Sequence, residues 1–157
     1  MNLITSFQSS VGAKKTTNED FVLVDAADGF FCVCDGTSHA KGAQVAKQTA
    51  EFLRENWKRI RPVRDAYQKD RSRKNRQGLE LAVGEAIRAA NTHVFGAAQL
   101  NGEGVGACTT LDFLGYVGDQ VVAAHVGDGR ILLFRDGKVT QLTRDHTRAE
   151  EMLASRM

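Results

Sequence analysis

Short apolar runs with carboxylates at their ends are the clearest pattern along this chain. Residues 21–24 follow Glu19 and Asp20, residues 30–34 end at Asp35, and residues 121–126 lead to Asp128. Runs of this length, rich in β-branched and aromatic residues, predict strands. A carboxylate at a strand end lies at the rim of a sheet, where oxygen-ligated cations commonly bind. The pattern therefore predicts strand tips that together form a metal site.

The first half of the chain reads as two strands followed by two helices. Strands at 20–25 and 29–34 are joined by a turn, which predicts an antiparallel hairpin. Apolar positions recur at helical spacing over 40–57 and again over 79–98, so both segments predict helices that cover a sheet. Thr37 or Ser38 is the expected N-cap of the first helix.

The second half predicts three further strands in an antiparallel meander. The first covers 109–117, and turns at Gly118-Asp119 and Asp136-Gly137 separate the strands that follow. The glycine run at 102–106 follows a helix and precedes a strand, the reverse of a dinucleotide-binding loop, so we expect a flexible connector. Consecutive helices and hairpins, instead of alternating crossovers, predict an α+β fold with helices packed on antiparallel strands.

Composition agrees with one domain over residues 1–157. The hydrophobic fraction of 42% is sufficient for a core. No apolar run approaches the roughly 20 residues of a membrane span, and the N-terminus lacks a secretory pattern, so we expect a cytoplasmic protein without membrane association. Cys32, Cys34 and Cys108 have no metal-ligand spacing and are expected to be small, reduced core residues.

Positive charge is concentrated in one segment. The net charge is only +2, but residues 54–76 contain ten Lys or Arg against three carboxylates, a local balance of +7. Residues 63–77 lack an apolar stripe, which predicts an exposed loop or a loose helical extension, a basic insert at about 58–77. An acidic partner for 54–76 stays open, whereas nucleic acid is disfavoured because the segment has only two aromatic side chains.

Five short motifs follow one another along the chain. They are Lys15-Thr-Thr-Asn-Glu-Asp20, Phe31-Cys-Val-Cys-Asp-Gly36, Ala107-Cys-Thr-Thr-Leu111, His125-Val-Gly-Asp-Gly-Arg130 and Gln141-Leu-Thr-Arg-Asp-His146. In this order they resemble the metal-dependent type 2C protein phosphatases, the PPM-type serine/threonine phosphatases. One motif alone is weak evidence, but five in order are specific. The chain resembles the N-terminal part of that catalytic domain almost from end to end.

The resemblance implies a fold, an activity and a ligand set. The fold is an antiparallel β-sandwich flanked by helices in four α-β-β-α layers, and the activity is hydrolysis of phosphoserine and phosphothreonine in phosphoprotein substrates by a hydroxide that bridges two Mg²⁺ or Mn²⁺ ions. By position, Asp35 would bridge the two ions and Gly36 would offer its backbone carbonyl. Glu19 and Asp20 would hold metal-bound waters, and Asp128 would reach a further cation. Oxygen donors of this kind suit Mg²⁺ and Mn²⁺ better than zinc.

Three departures from the family pattern qualify this interpretation. Lys15 occupies the place of a phosphate-gripping arginine and would hold phosphate less firmly, because an ammonium lacks the bidentate fork. His39, in an unusual motif, stays open as a general acid. The chain ends at Met157, before the family's remaining metal-binding aspartates, so we expect a fragment, or a silent phosphatase-like regulatory or binding module, or an adaptor that docks on an acidic partner.

Simpler roles remain for several of these residues. The simpler role for Glu19 is an ion pair with a neighbouring lysine and no contact with metal. The simpler role for Lys15 is an ordinary surface charge. Asp119 and Asp136 are expected to be turn residues. His93 is expected to be a surface or packed residue, His125 a strand residue and His146 a structural residue near the rim, since none has a histidine partner at metal-ligand spacing.

Overall fold

The computed structural model of the chain describes residues 3–37, 41–100 and 106–155. In these residues the elements follow in the order β1 (Asp20–Asp25), β2 (Phe30–Asp35), α1 (Gly42–Arg59), α2 (Arg61–Lys69), α3 (Arg73–Leu100), β3 (Leu111–Val117), β4 (Gln120–Val126), β5 (Leu132–Arg135), β6 (Lys138–Gln141) and α4 (Arg148–Ala154). The paired strands are antiparallel, and the predicted α+β class is confirmed.

The main sheet has the strand order β1-β2-β3-β4, and alternation along its strands decides which side chains enter the core. Phe30, Cys32 and Cys34 of β2 point to the buried face, as does Phe113 of β3. The ring centroids of Phe30 and Phe113 are 5.3 Å apart, and the Trp57 ring of α1 lies 5.2 Å from that of Phe113. Helices α1 and α3 cover this face, as the helical spacing predicts.

The start of α1 differs from the expectation. The N-cap is Lys41, with a φ of 73° and no side-chain cap hydrogen bond. Thr37 is not the cap, because α1 begins only at Gly42, and Thr37 Oγ1 instead accepts a hydrogen bond from the Cys108 N–H at 3.2 Å. Ser38, the other predicted cap, lies outside the described residues.

The predicted meander is broken after β4. Residues 106–155 contain four strands where three were predicted, and β5 and β6 form a two-stranded sheet of their own. The break follows Gly127, whose φ of 109° turns the chain away from β4. Residues 102–105 of the expected connector lie outside the described part of the chain.

The basic segment is helical and packed. Helix α2 and the first turns of α3 replace the predicted loop, so the helical alternative is the one that the structure shows, but it is not loose. The side chain of Arg64 is only 8% exposed and lies 4.3 Å from the centroid of the Trp57 ring. Its guanidinium donates to the backbone oxygen of Asp28 at 3.0 Å and to Asp28 Oδ1 at 2.9 Å. One cation of the segment therefore connects α2 to the β1–β2 turn.

The cysteines divide into two groups. Cys32 and Cys34 are buried, with their sulfur atoms 3.5 Å apart, whereas Cys108 is exposed, so the expectation of a core position is wrong for Cys108. The hydrogen bond with Cys34 and burial raise the pKa of the Cys32 thiol, which keeps it protonated. Among the described residues, no helix has both the length and the apolar character needed to cross a bilayer.

Replacement of Arg64 should destabilise the fold. In Arg64→Met the stem is kept but the Asp28 carboxylate loses its buried partner, so we expect the free energy of unfolding in urea to fall by about 3 kcal/mol. The matched control is Arg61→Met, which removes an exposed guanidinium 3.0 Å from the same oxygen and should cost less than about 1 kcal/mol. Equal losses in the two variants would contradict the buried role of Arg64.

The same pair predicts a pH dependence. Burial alone would raise the pKa of Asp28, but the hydrogen bonds and charges of Arg64 and Arg61 outweigh it, so the pKa is lowered. Stability from such a carboxylate is present above the unfolded-state pKa of about 3.9 and is lost as the pH falls through the lower folded-state pKa. The stability difference between the wild type and Arg64→Met should therefore be constant near neutrality and shrink below about pH 4. A difference that grows with acidity would rule this out.

Candidate metal and phosphate site

The register of the β1–β2 hairpin brings two predicted site residues together. Asp20 lies directly opposite Asp35 in the register, so the two side chains emerge on the same face of the hairpin. Burial, the neighbouring Asp20 carboxylate and the charge of Asp128 raise the pKa of Asp35, while the charge of Lys15 acts in the opposite direction. Asp20, Asp128 and Lys15 are thus close enough to Asp35 for their charges to act on it.

Backbone contacts fix the end of β2 against the start of α1. The Gly36 N–H donates to the Glu19 carbonyl at 3.2 Å, and Gly36 also forms an isolated antiparallel bridge with Thr109. A Cβ on Gly36 would overlap the backbone of Gly42, and a Cβ on Gly42 would lie 2.9 Å from the Gly36 carbonyl carbon. The two glycines therefore allow α1 to begin in direct contact with the segment that carries Asp35.

The peptide groups of Asp35 are held by two threonines from the segment before β3. The Asp35 N–H donates to Thr110 Oγ1 at 3.0 Å, and the Thr110 N–H donates to the Asp35 carbonyl at 2.9 Å. The hydroxyl of Thr109 donates to the same carbonyl at 3.0 Å. The sequence assigns no role to these threonines, because the contacts join residues more than 70 positions apart.

Asp20 has a support that sequence reasoning missed. The Asp20 N–H donates to Asn18 Oδ1 at 3.0 Å, and the Asn18 side-chain amide donates to Ser9 Oγ at 2.7 Å. Ser9 Oγ lies 3.5 Å from Asp20 Oδ2. Asn18 belongs to the quoted motif and could have been suspected, but Ser9 comes from an irregular segment with no signal of its own.

Lys15 and Glu19 pair with each other. Lys15 Nζ lies 3.3 Å from Glu19 Oε2, and the side chains are 52% and 11% exposed. This geometry is the simpler alternative considered for Glu19, a carboxylate that pairs with a neighbouring lysine. The metal role of Glu19 and the phosphate role of Lys15 stay predictions.

A cleft of about 530 Å³ opens beside Asp35 and adds a carboxylate that sequence reasoning did not select. Its polar lining includes Asp35, Asp128 and Arg130 together with Asp112 of β3. Asp112 Oδ1 lies 3.0 Å from His125 Nδ1 on the neighbouring strand. The signal was available, because Asp112 is a charged residue within an otherwise apolar run.

The donor set within the described residues is partial. Over 3–37, 41–100 and 106–155, no group of three or more His, Cys, Asp or Glu side chains is arranged to hold a metal ion. Asp20 and Asp35 are neighbours across the hairpin, and Asp128 acts on Asp35 through its charge. His39, the open general acid, lies outside the described residues. The site residues present are oxygen donors and one lysine, which fit part of a Mg²⁺ or Mn²⁺ centre.

Comparison with known proteins establishes the family. Residues 5–156 match the family model described as protein phosphatase 2C, and the chain belongs to that family. It is 27% identical over 157 residues to the protein phosphatase PhpP of Streptococcus pneumoniae, a match that covers 94% of this chain and 57% of PhpP. It is 26% identical over 140 residues to the serine/threonine protein phosphatase PstP of Mycobacterium tuberculosis, covering 89% of this chain and 24% of PstP.

Solved structures give the same fold. The structure of PppA, a regulatory component of the T6SS in Pseudomonas aeruginosa, matches with a TM-score of 0.72 at 28% identity, over 96% of this chain and 59% of that one. The catalytic domain of PstP in complex with two manganese ions matches with a TM-score of 0.73 at 24% identity, over 95% of this chain and 58% of that one. The resemblance drawn from the five motifs and the predicted fold class are confirmed.

The glycine contact at the start of α1 can be tested by substitution. Gly42→Ala would force the backbones of α1 and Gly36 apart, so we expect a loss of roughly 1–3 kcal/mol in the free energy of unfolding. The matched control is Gly78→Ala in α3, where a Cβ meets nothing within 4 Å. That variant should gain about 0.5–1 kcal/mol, because alanine is the better helix former. Changes of the same sign in both variants would contradict the close approach.

Proposed function

We propose that this chain forms the metal- and phosphate-binding part of a Mg²⁺- or Mn²⁺-dependent protein serine/threonine phosphatase. The observation that carries the proposal is the pairing of Asp20 with Asp35 across the β1–β2 hairpin, with Asp128 near enough to raise the pKa of Asp35. Carboxylates that repel each other in this way gain most from a bound divalent cation. The relatives PhpP and PstP are named as protein phosphatases, which supports the same reaction class.

The roles of the ligands are those that the family resemblance implies. Asp35 would hold two ions, and Gly36 would contribute its backbone carbonyl. Glu19 and Asp20 would hold metal-bound waters, so Glu19 would have to release Lys15. Asp128 would hold a further cation more weakly. The two manganese ions in the PstP structure support this choice of metal.

The chemistry divides between the ions and the chain. When bound, Mg²⁺ or Mn²⁺ would acidify a water for attack on phosphorus and neutralise the phosphoryl oxygens. Lys15, whose charge acts on Asp35, supplies a contact for one phosphoryl oxygen after it leaves Glu19. An ammonium forms this contact as a point charge, without the two-point geometry of a guanidinium. No side chain of the protein acts as the nucleophile.

The substrate is proposed to be a phosphoprotein that carries phosphoserine or phosphothreonine. The chain spans about 57% of the length of PhpP, and we propose that residues 1–157 form a single but incomplete catalytic domain. Apolar side chains at the surface agree with this: Val33 of β2 is 46% exposed, and Leu132 and Phe134 of β5 are 57% and 72% exposed. Exposed apolar surface of this kind is commonly covered by further polypeptide.

The alternative is a catalytically silent phosphatase-like module. It is favoured by the Lys15–Glu19 ion pair and by the partial donor set among the described residues. Binding of a phosphopeptide without turnover, at saturating Mn²⁺, would identify such a module. Near-background hydrolysis of p-nitrophenyl phosphate that rises when a polypeptide with the remaining strands is added would identify an incomplete enzyme.

An adaptor role for residues 54–76 receives less support. Six of the ten basic side chains in this segment form ion pairs within the chain: Arg54, Lys58, Arg61, Arg64, Arg71 and Arg76. An acidic partner would have to compete with these carboxylates. Retention of the chain on an acidic partner, lost when the exposed cations are neutralised, would favour the adaptor.

Cation binding through Asp35 is the central test of the proposal. Calorimetric titration with Mn²⁺ should show binding that weakens by roughly tenfold or more, about 1.4 kcal/mol, in Asp35→Asn. The matched control is Asp119→Asn, an exposed turn carboxylate paired with Arg71 that should leave the titration unchanged. Superimposable titrations of the wild type and Asp35→Asn would remove Asp35 from the site.

Phosphate binding by Lys15 can be tested by replacing its ammonium with a guanidinium. In a form of the enzyme with measurable turnover, Lys15→Arg should lower the Michaelis constant for a phosphopeptide by roughly threefold to tenfold, because a guanidinium can pair two phosphoryl oxygens. Lys14→Arg, at the adjacent exposed lysine, is the control. A Michaelis constant that does not change would place Lys15 on the surface with no role in binding substrate.

A further inference from the structure

The loop that carries Asp128 packs on Thr110 and Asp112 through the backbone of its two glycines. This Asp128 loop, residues 127–129, has glycine on both sides of the aspartate. A Cβ at Gly127 would lie 2.7 Å from Thr110 Cγ2, and a Cβ at Gly129 would overlap Asp112 Oδ2. The loop therefore rests directly on Thr110 and Asp112, and its position depends on where those side chains are held.

His146 forms a reciprocal pair of hydrogen bonds with the same loop. Its backbone N–H donates to the Gly127 carbonyl at 2.8 Å, and the Gly127 N–H donates to His146 Nδ1 at 3.2 Å. Because Nδ1 accepts this hydrogen bond, the proton of the ring lies on Nε2. His146 thus ties both polar groups of the Gly127 backbone.

His125 lies between two acceptors. Its Nδ1 is 3.0 Å from Asp112 Oδ1, and its Nε2 is 3.0 Å from the Arg144 carbonyl oxygen. A carbonyl can only accept, so Nε2 donates to it, and Nδ1 faces the Asp112 carboxylate. Asp112 is consequently held by His125.

His125 precedes the β5–β6 hairpin in the chain and His146 follows it, and the two side chains are in contact. Their ring centroids are 4.7 Å apart. Arg130 forms a bidentate ion pair with Asp145, with nitrogen–oxygen distances of 3.0 and 2.6 Å. This pair is a second link between the two segments. Residues 125–130 and 144–146 are therefore held side by side.

We propose that Asp112, His125 and His146 are positioning residues that hold the Asp128 loop at the Asp35 end of the main sheet. The observation behind this proposal is that both glycines of the loop meet this group: Gly127 is hydrogen-bonded to His146, and Gly129 packs against Asp112. The consequence for cation binding rests on the proposed function, because it assumes that Asp128 is a ligand. The hydrogen-bond arrangement itself does not depend on that assumption.

The test compares two substitutions of His146 in the metal-free 157-residue chain. Asparagine places an acceptor near the position of Nδ1, whereas leucine keeps the volume and offers none. Hydrogen–deuterium exchange at the Gly127 amide, resolved by NMR, should be faster by roughly threefold to tenfold in His146→Leu and close to wild type in His146→Asn, as expected for the loss of one hydrogen bond. His93→Leu, which removes a histidine of α3 stacked on Phe52, is the control.

A second readout follows the cation. Titration with Mn²⁺, monitored by electron paramagnetic resonance, should show that His146→Leu weakens the same binding event as Asp128→Asn, and that His146→Asn restores it. If His146→Leu does not fold, His146→Gln replaces it, because its amide reaches the position of Nε2 and leaves Gly127 without an acceptor.

The outcomes separate the two proposals. Equal exchange at Gly127 in the wild type and His146→Leu, or equal exchange in the Leu and Asn variants, would overturn the positioning role. A Mn²⁺ affinity that falls in Asp128→Asn but not in His146→Leu would overturn it as well. Faster exchange in His146→Leu, with rescue by Asn, in a chain that binds no Mn²⁺ would support the positioning role and contradict the proposed metal-dependent function.

Discussion

The register of the β1–β2 hairpin is the constraint on which both the core and the candidate site depend. Because side chains alternate along a strand, the pairing that buries Phe30, Cys32 and Cys34 also places Asp35 on the opposite face, across from Asp20. A slip of one residue would turn Asp35 toward the core and Phe30 away from it. Burial of the apolar face, which contributes about 25 cal/mol for each Å² removed from water, therefore also maintains the geometry of the site.

Long-range hydrogen bonds then convert a strand end into a defined site. The peptide groups of Asp35 are held from the segment before β3, and Gly36 contacts the start of α1 without an intervening side chain. On the other side of the cleft, the Asp128 loop lies on Asp112 and is tied to His146. Asp35 and Asp128 both lie at the ends of strands, but different parts of the fold hold them in place.

The basic segment shows that charge in a sequence does not identify a partner. Arg64 belongs to the most basic stretch of the chain, yet it is buried between the Trp57 ring and Asp28. Because residues 63–77 lack an apolar stripe, the sequence suggested a solvated extension. The sequence does not distinguish a buried arginine from an exposed one. A long aliphatic stem and a guanidinium that finds its acceptors allow such a residue to act as a core contact.

The sequence by itself determined the elements whose cause is local. Periodicity identified β1, β2 and the helical faces of α1 and α3, and the acid-tipped strands and their motif order pointed to Asp20, Asp35 and Asp128. Tertiary structure alone decided the burial of Arg64, the break between β4 and β5, and the pairing of Asp112 with His125. These features depend on contacts between residues far apart in the chain. A polar side chain has the same local pattern whether water or a distant partner satisfies its hydrogen bonds, so only the folded chain distinguishes the two.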